Sequence, residues 1–141
     1  MSCDFGVWRF KERLSDKAAG EVYRRLCEGA ATTLIGYSIL EHPSVDAFYS
    51  ELTSLHPEID DVPDERIDDL DYCPWSVAFD RSGAHLILCC AWAKADYVRE
   101  LVHCLAEKHG LAVYDPQTGK IAYPHDPRIA SSRAKPWWKF W

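Results

Sequence analysis

The stretch "WSVAFDRSGAHLILCCAW", residues 75–92, carries the strongest fold signal in the chain. Two β-prone runs flank "DRSG", in which Asp80 can open a turn and Gly83 can adopt positive φ. The second run has two mostly apolar faces: Leu86, Leu88, Cys90 and Trp92 on one, and His85, Ile87, Cys89 and Ala91 on the other. The pattern predicts a β-hairpin whose second strand lies inside a sheet, because both of its faces are apolar.

Upstream of this hairpin the sequence predicts a strand followed by a helix. "CDFGVWRF" (3–10) has the aromatic and β-branched composition of a strand. A helical apolar period covers 16–28, with Ser15 placed as its N-cap and Gly29 placed to end it. Residues 31–42 stay open between a short strand around 34–40 and an irregular connection.

Two further helices are predicted, one on each side of the hairpin. The first begins at a cap on Ser44 and ends before Pro57, since the residue before proline avoids helical geometry. Its predicted apolar stripe is Val45, Phe48, Tyr49, Leu52 and Leu55. The other covers about 94–109 and ends at Gly110.

"LAVYDPQTGKIAY" (111–123) predicts a second hairpin, in which Asp115 and Pro116 set a turn and Gln117 can bond backbone groups. Helices interleaved with hairpins predict an α+β fold: a mainly antiparallel sheet with helices packed on one face. The order is strand, helix, helix, hairpin, helix, hairpin. Without the second helix it approaches the split βαβ arrangement.

We expect a single domain over 1–124 and a basic, tryptophan-rich tail over 125–141. The tail ends in "KPWWKFW", a composition that suits a membrane interface or nucleic-acid stacking. The alternative is that it folds back on its own domain or on a second copy. The start of the chain lacks an apolar signal-peptide run, and no 18-residue apolar run occurs, so we expect a cytoplasmic protein without a membrane span.

The negative charge of the protein is concentrated in one segment. "EIDDVPDERIDDLD" (58–71) holds eight acidic residues and one base, a local charge of −7 in a chain of net charge −6. Such a run is either a solvated loop or the binding surface for a basic partner. If it binds, its carboxylates carry the contact, with two aromatic residues as apolar anchors. These partner-binding candidates are Asp60, Asp61, Asp64, Glu65, Asp68, Asp69, Asp71, Tyr72 and Trp75.

Motifs of known chemistry are missing from the sequence. There is no G-x-S-x-G elbow, glycine-rich phosphate loop or H-E-x-x-H pair. A calcium-loop register starting at Asp60 fails, because Val62 and Arg66 occupy positions that need other residues. Cys73 and His85 are the nominal pair for nucleophilic catalysis, but the acidic run before Cys73 disfavours a thiolate. We expect no catalytic residue, no metal and no cofactor; the missing export signal predicts six free cysteines, and the lack of C-x-x-C argues against a zinc ribbon.

The span 73–119 resembles small, mostly uncharacterised bacterial cytosolic proteins. They share a "PW…F…G…H" hairpin, a helix that ends in "HGL" and a following "YDPQ". Some of them look like immunity proteins, which bind a toxin encoded beside them. The resemblance implies a non-enzymatic protein that blocks the basic active-site cleft of a cognate protein toxin, with no direct nucleic-acid contact. The alternatives are an enzyme using Cys, His or carboxylate chemistry, and a homo-oligomeric structural or regulatory protein such as a homodimer.

Overall fold

Five strands and four α-helices are found in residues 2–124, the part of the chain that the computed structural model describes. The strands are β1 (Ser2–Trp8), β2 (Asp80–Arg81), β3 (His85–Ala91), β4 (Ala112–Asp115) and β5 (Lys120–Ala122). The helices are α1 (Asp16–Cys27), α2 (Ala31–Leu34), α3 (Pro43–Leu55) and α4 (Ala95–His109). The predicted tail, 125–141, lies outside the described residues.

The strands form one antiparallel sheet in the order β2-β3-β1-β4-β5. β1 is central and pairs along its whole length with β3, from Ser2 opposite Ala91 to Trp8 opposite His85. The predicted α+β class with an antiparallel sheet is confirmed. The two halves of a split βαβ arrangement are β1–α3–β2 and β3–α4–β4, so the additional helices are α1 and the four-residue α2, and not the second predicted helix.

The helices lie on both faces of the sheet, and the prediction of a single covered face is wrong for α1. Phe5 and Val7 of β1 pack with Phe48 and the other buried residues of α3 and α4. Trp8 points the other way and packs with Val22 and its neighbours on α1. Successive side chains of a strand alternate between faces, and both faces of β1 are apolar, so each face needs its own cover.

The first strand of the predicted hairpin at 75–92 is mostly absent. Trp75 makes only an isolated bridge to Cys90, and regular pairing resumes at β2. The N–H of Ser76 still donates to the carbonyl of Cys89 on β3 at 2.8 Å. Residues 77–79 leave the regular pairing, and the backbone N–H of Phe79 donates to Glu58 Oε1 (3.0 Å). Trp92, assigned by the alternation to a strand face, begins a 3₁₀ turn (Trp92–Lys94) and is 51% exposed.

Helix boundaries follow their predicted caps, with one correction. The Oγ of Ser15 accepts from the N–H of Ala18 at 3.2 Å, and Gly110 adopts φ 72° at the end of α4, as expected. α3, however, is capped by His42, whose Nδ1 accepts from the N–H of Ser44 at 3.0 Å. Pro43 then occupies the first turn, where its missing N–H costs nothing.

In the region around α2 and α3 the structure decides one prediction that was left open and corrects another. Residues 31–42 form the irregular connection, with the four-residue α2 and isolated bridges at Ile39. Leu55 is 48% exposed, so it does not belong to the apolar stripe of α3. None of the helices within residues 2–124 has the length and apolar character needed to cross a membrane.

Candidate functional site

The acidic segment, residues 58–71, connects α3 to the bridge at Trp75 and is folded along its length. It contains two 3₁₀ turns, Ile59–Asp61 and Asp64–Arg66. Val62 is buried and Ile59 is partly buried, and both pack against the core between the sheet and helices α3 and α4. The carboxylates of the segment are therefore carried by a backbone with fixed apolar contacts.

Glu58 fixes the beginning of the segment. Its carboxylate accepts hydrogen bonds from the hydroxyl of Tyr49 on α3 and from the N–H of Phe79 before β2. The bond to Glu58 is the largest cause of a raised pKa at Tyr49, because a neighbouring carboxylate stabilises the protonated phenol. Glu58 thus joins the helix to the sheet edge.

Asp69 and Asp71 fix the end of the segment. Asp69 Oδ1 accepts from the backbone N–H groups of Asp71 (3.1 Å) and Tyr72 (3.3 Å). Its Oδ2 pairs with Arg66 at 3.1 Å, and this bond is the main cause of the lowered pKa of Asp69. Asp71 forms an ion pair with Lys94, just before α4. Two of the seven candidate acids therefore have structural partners.

The other five acids are exposed: Asp60, Asp61, Asp64, Glu65 and Asp68. Within residues 2–124 the structure shows no ion pair to any of them. Arg66, the one base of the segment, is engaged by Asp69 and stacks over the ring of Tyr72, 3.6 Å from its centroid. The segment therefore presents five uncompensated carboxylates on one connection.

The predicted apolar anchors are less accessible than the sequence suggested. Trp75 is 2% exposed, and its indole N–H donates to the carbonyl of His56 at 3.0 Å, so it belongs to the core and does not reach a partner. Tyr72 is half-buried beneath Arg66. Exposed apolar side chains in and beside the segment are Leu55, Ile67 and Val77, and Trp92 lies two residues before Lys94. Sequence reasoning missed Trp92 because alternation along β3 assigned it to the buried face.

His56 holds the segment's end against the helices. Its ring bonds the carbonyl of Tyr72 through Nδ1 (3.1 Å) and the hydroxyl of Tyr97 through Nε2 (2.7 Å). Burial lowers the pKa of His56, because the charged imidazolium would lose hydration there. A neutral histidine thus links α3, the acidic segment and α4.

The nominal catalytic pair, Cys73 and His85, is not brought together. Cys73 packs among the core residues beneath α3 and α4, where burial raises its thiol pKa. His85 pairs with Trp8, whose side chain lies on the face of α1. Its Nδ1 bonds Ser82 Oγ at 2.7 Å, while Nε2 lies 3.9 Å from Asp80 Oδ2.

The side chains of Ser82, His85 and Asp80 lie at the turn between β2 and β3, and the bond between Ser82 and His85 stabilises that turn. Ser82 Oγ also accepts from the N–H of Ala84 at 3.1 Å, and the 3.9 Å separation from His85 to Asp80 is too long for a hydrogen bond. Among the described residues no three His, Cys, Asp or Glu side chains converge to hold a metal ion.

Comparison of the chain with protein-family models, with curated proteins and with solved structures finds no match.

Proposed function

We propose that this chain is a non-enzymatic binding protein, a bacterial immunity protein that acts in the cytoplasm. It binds a cognate toxin through the acidic segment and blocks a basic active-site cleft that handles a nucleic acid or nucleotide. The observation that supports this is the set of five exposed carboxylates without an ion-pair partner in residues 2–124, on a segment fixed at both ends.

Because both ends of the acidic segment are fixed, a role in binding is favoured over that of a solvated loop without a partner. A free acidic loop would lose conformational entropy when it docked, whereas a segment already held by Glu58, Asp69 and Asp71 loses less. Concentrated negative charge also accelerates encounter with a basic surface and competes with phosphate groups for it. Asp60, Asp61, Asp64, Glu65 and Asp68 supply the electrostatic contact, with Asp69 and Asp71 at its margin.

Apolar contacts are expected at the edge of this surface. Ile67 lies among the acids, and Tyr72 with its stacked Arg66 borders them. Trp75 stays in the core. A partner that places arginines or lysines against the carboxylates would desolvate Ile67 at the same time, which is the usual composition of a tight interface.

The test is co-expression with the product of the adjacent gene, followed by growth and co-purification. In a complex, D60N/D61N/D64N/E65Q should slow association by about tenfold or more at low salt and flatten its salt dependence. The matched control E12Q/E28Q/D46N/D96N removes the same number of charges from exposed positions outside the segment and should associate nearly as the unmodified protein does.

Two results would overturn the proposal. The first is a toxic neighbour that this chain neither neutralises nor binds. The second is an equal effect of the two quadruple variants, which would assign the association to net charge and not to the segment.

A further inference from the structure

Two cysteines lie opposite each other on the central pair of strands. Cys3 on β1 is the partner of Cys90 on β3 in the register of the sheet. Side chains of directly opposite residues lie on the same face of an antiparallel pair, and both thiols belong to the core beneath α3 and α4. They are free thiols in hydrogen-bond contact with each other. The register thus brings together two sulfur atoms that are 87 positions apart in the sequence.

The backbone at this pair has the spacing of a disulfide. Asp4 directs its N–H and its carbonyl to Gln117, on the β4 side. Backbone groups alternate in direction along a strand, so Cys3 directs its own toward β3 and forms a hydrogen-bonded pair with Cys90. Such a pair sets its Cα atoms about 5.5 Å apart, within the range of roughly 4.4–6.8 Å for disulfides. A disulfide here therefore requires rotation of side chains and no separation of the strands.

A guanidinium group distinguishes the two thiols. Arg99 on α4 donates from Nη2 to Cys3 Sγ at 4.0 Å. Burial raises the pKa of both thiols, to about 12 for Cys90, whereas at Cys3 the charge of Arg99 opposes the effect of burial and Asp115 offsets part of that opposition. The thiolate is the nucleophile in thiol oxidation, and a neighbouring cation stabilises it. The contact with Arg99 therefore favours Cys3 as the attacking thiol.

The end of β1 that carries Cys3 has fewer backbone bonds than the other end. The described pairing of β1 with β4 covers Gly6 to Trp8. Before Gly6, the side chain of Gln117 holds this side of β1 through two exposed hydrogen bonds to Asp4. Local opening is easiest where solvent-exposed bonds hold the backbone. A small oxidant can reach the thiols during such opening, and closing returns the two sulfur atoms to contact.

We propose that Cys3 and Cys90 form a redox-active thiol pair, which a peroxide converts to a disulfide that fixes β1 to β3. The Cys3 thiolate attacks one peroxide oxygen, the O–O bond breaks, and Cys3 becomes a sulfenic acid while the other oxygen leaves as water. The sulfur of Cys90 then attacks the sulfenic sulfur, the S–S bond forms and a second water leaves. Two electrons pass from the thiols to the peroxide, and both thiol protons end in water.

The thiol pair does not depend on the proposed toxin contact, because it uses no carboxylate of the acidic segment. Disulfides in reducing compartments are typically transient and redox-sensing, and this pair fits that type. Either proposal can therefore fail alone.

Hydrogen peroxide applied to the complete folded chain tests the pair. After free thiols are blocked with iodoacetamide, trypsin yields peptide 1–9, with Cys3, and peptide 82–94, with Cys89 and Cys90. Mass spectrometry without reduction should find these peptides linked with a loss of two hydrogens, about 2 Da, and fragmentation should assign the bond to Cys90. This link should be about tenfold or more above any other cysteine pairing, because the fold holds the two thiols together.

Matched variants separate the pair from the neighbouring cysteine. C90A should lose the link and leave a sulfenic acid at Cys3 that dimedone labels. C89A removes the adjacent cysteine, on the opposite face of β3, and should keep the link. Circular dichroism checks that the variants fold alike. The same oxidation in urea should join Cys3 to several cysteines, since the register of the sheet is then lost.

Three results would overturn the proposal. The first is a link that persists in C90A or that fragmentation of the unmodified chain assigns to Cys89. The second is a disulfide between two chains in place of the internal one. The third is complete oxidation of other cysteines while peptide 1–9 keeps a free thiol.

Discussion

Gln117 stands where β1 and β4 can no longer pair through their backbones. Their register ends at Gly6 opposite Tyr114, and two positions further along Asp4 would lie opposite Pro116, which has no N–H. The Gln117 side chain replaces it: Oε1 accepts from the N–H of Asp4 and Nε2 donates to its carbonyl, both at 2.9 Å. The Gln117 side chain of "YDPQ" therefore bonds backbone groups, as expected, and by doing so it extends the pairing of the sheet.

Replacing Gln117 by Met keeps the shape of the side chain and removes its three hydrogen bonds, the two with the Asp4 backbone and the one from Nε2 to Asp115 Oδ1. Because water can partly replace bonds at this exposed position, we expect the free energy of unfolding to fall by about 1 kcal/mol. Urea denaturation measures it, with Lys120→Met on the same hairpin as the control. Equal stabilities of the two variants would show that the paired amide contributes nothing.

His56 and His85 are buried, and burial lowers the pKa of each below its ordinary value of 6.5. For His85 the nearby Asp80 opposes this effect without cancelling it. In the pH range below 6.5 the unfolded chain therefore binds more protons than the folded chain. The stability these residues provide is complete above pH 6.5 and is lost as the pH falls toward their folded pKa values.

Urea denaturation at pH 7.5 and pH 5.5 should show this loss. His56→Gln and His85→Gln, made singly, should each reduce the difference between the two pH values, even if each lowers stability overall. If the loss of unfolding free energy between pH 7.5 and pH 5.5 is as large in both variants as in the unmodified chain, residues other than these two histidines cause it.

At the scale of the element, the acidic segment divides into structural and free carboxylates. Asp68 and Asp69 are neighbours with the same side chain, yet only Asp69 accepts from the N–H groups of Asp71 and Tyr72. Neither composition nor spacing distinguishes them in the sequence. The difference arises because the chain turns after Arg66 and aims one carboxylate back at its own backbone.

Asp69→Ala should accelerate hydrogen exchange at the amides of Asp71 and Tyr72 by about fivefold, the effect of losing about 1 kcal/mol of local stability. Asp68→Ala, its matched control, should leave both amides unchanged because no described group bonds to Asp68. Exchange measured residue by residue by NMR separates the two cases. Similar exchange in both variants would mean that the Asp69 bonds do not hold the end of the segment.

At the scale of the whole molecule, repulsion among the carboxylates of the acidic segment lowers the free energy of unfolding. The residues outside it sum to +1, so the self-repulsion comes from one place. D60N/D61N/D64N/E65Q should raise the free energy of unfolding by about 0.5 kcal/mol at low ionic strength, since like charges that are close together destabilise by this order. The gain should shrink at high salt, where the screening length becomes shorter.

Urea denaturation at low and high salt tests this expectation. E12Q/E28Q/D46N/D96N should not gain stability, because Glu28 and Asp96 pair with Arg24 and Arg99. A loss of stability in the segment variant would show that these carboxylates support the fold, and would weaken their assignment as a surface kept for a partner.

The sequence by itself determined the features that depend on a few neighbouring residues. Ser15 caps α1, Gly110 ends α4 and the turn after Asp115 closes a hairpin, because each depends on local backbone geometry and short-range bonds. The α+β class followed from the order of these elements. The concentration of charge in 58–71 is likewise a property of the chain alone.

Only the tertiary structure decided which surfaces pack against each face of the strands and helices. Glu58 accepts a hydrogen bond from the N–H of Phe79, in the stretch where the first strand of 75–92 is not regularly paired, although the two residues are 21 positions apart. Trp75 is buried, Trp92 is exposed and α1 lies opposite α3, because burial depends on which surfaces distant segments bring together. The same packing separates the five free carboxylates from those that hold the fold.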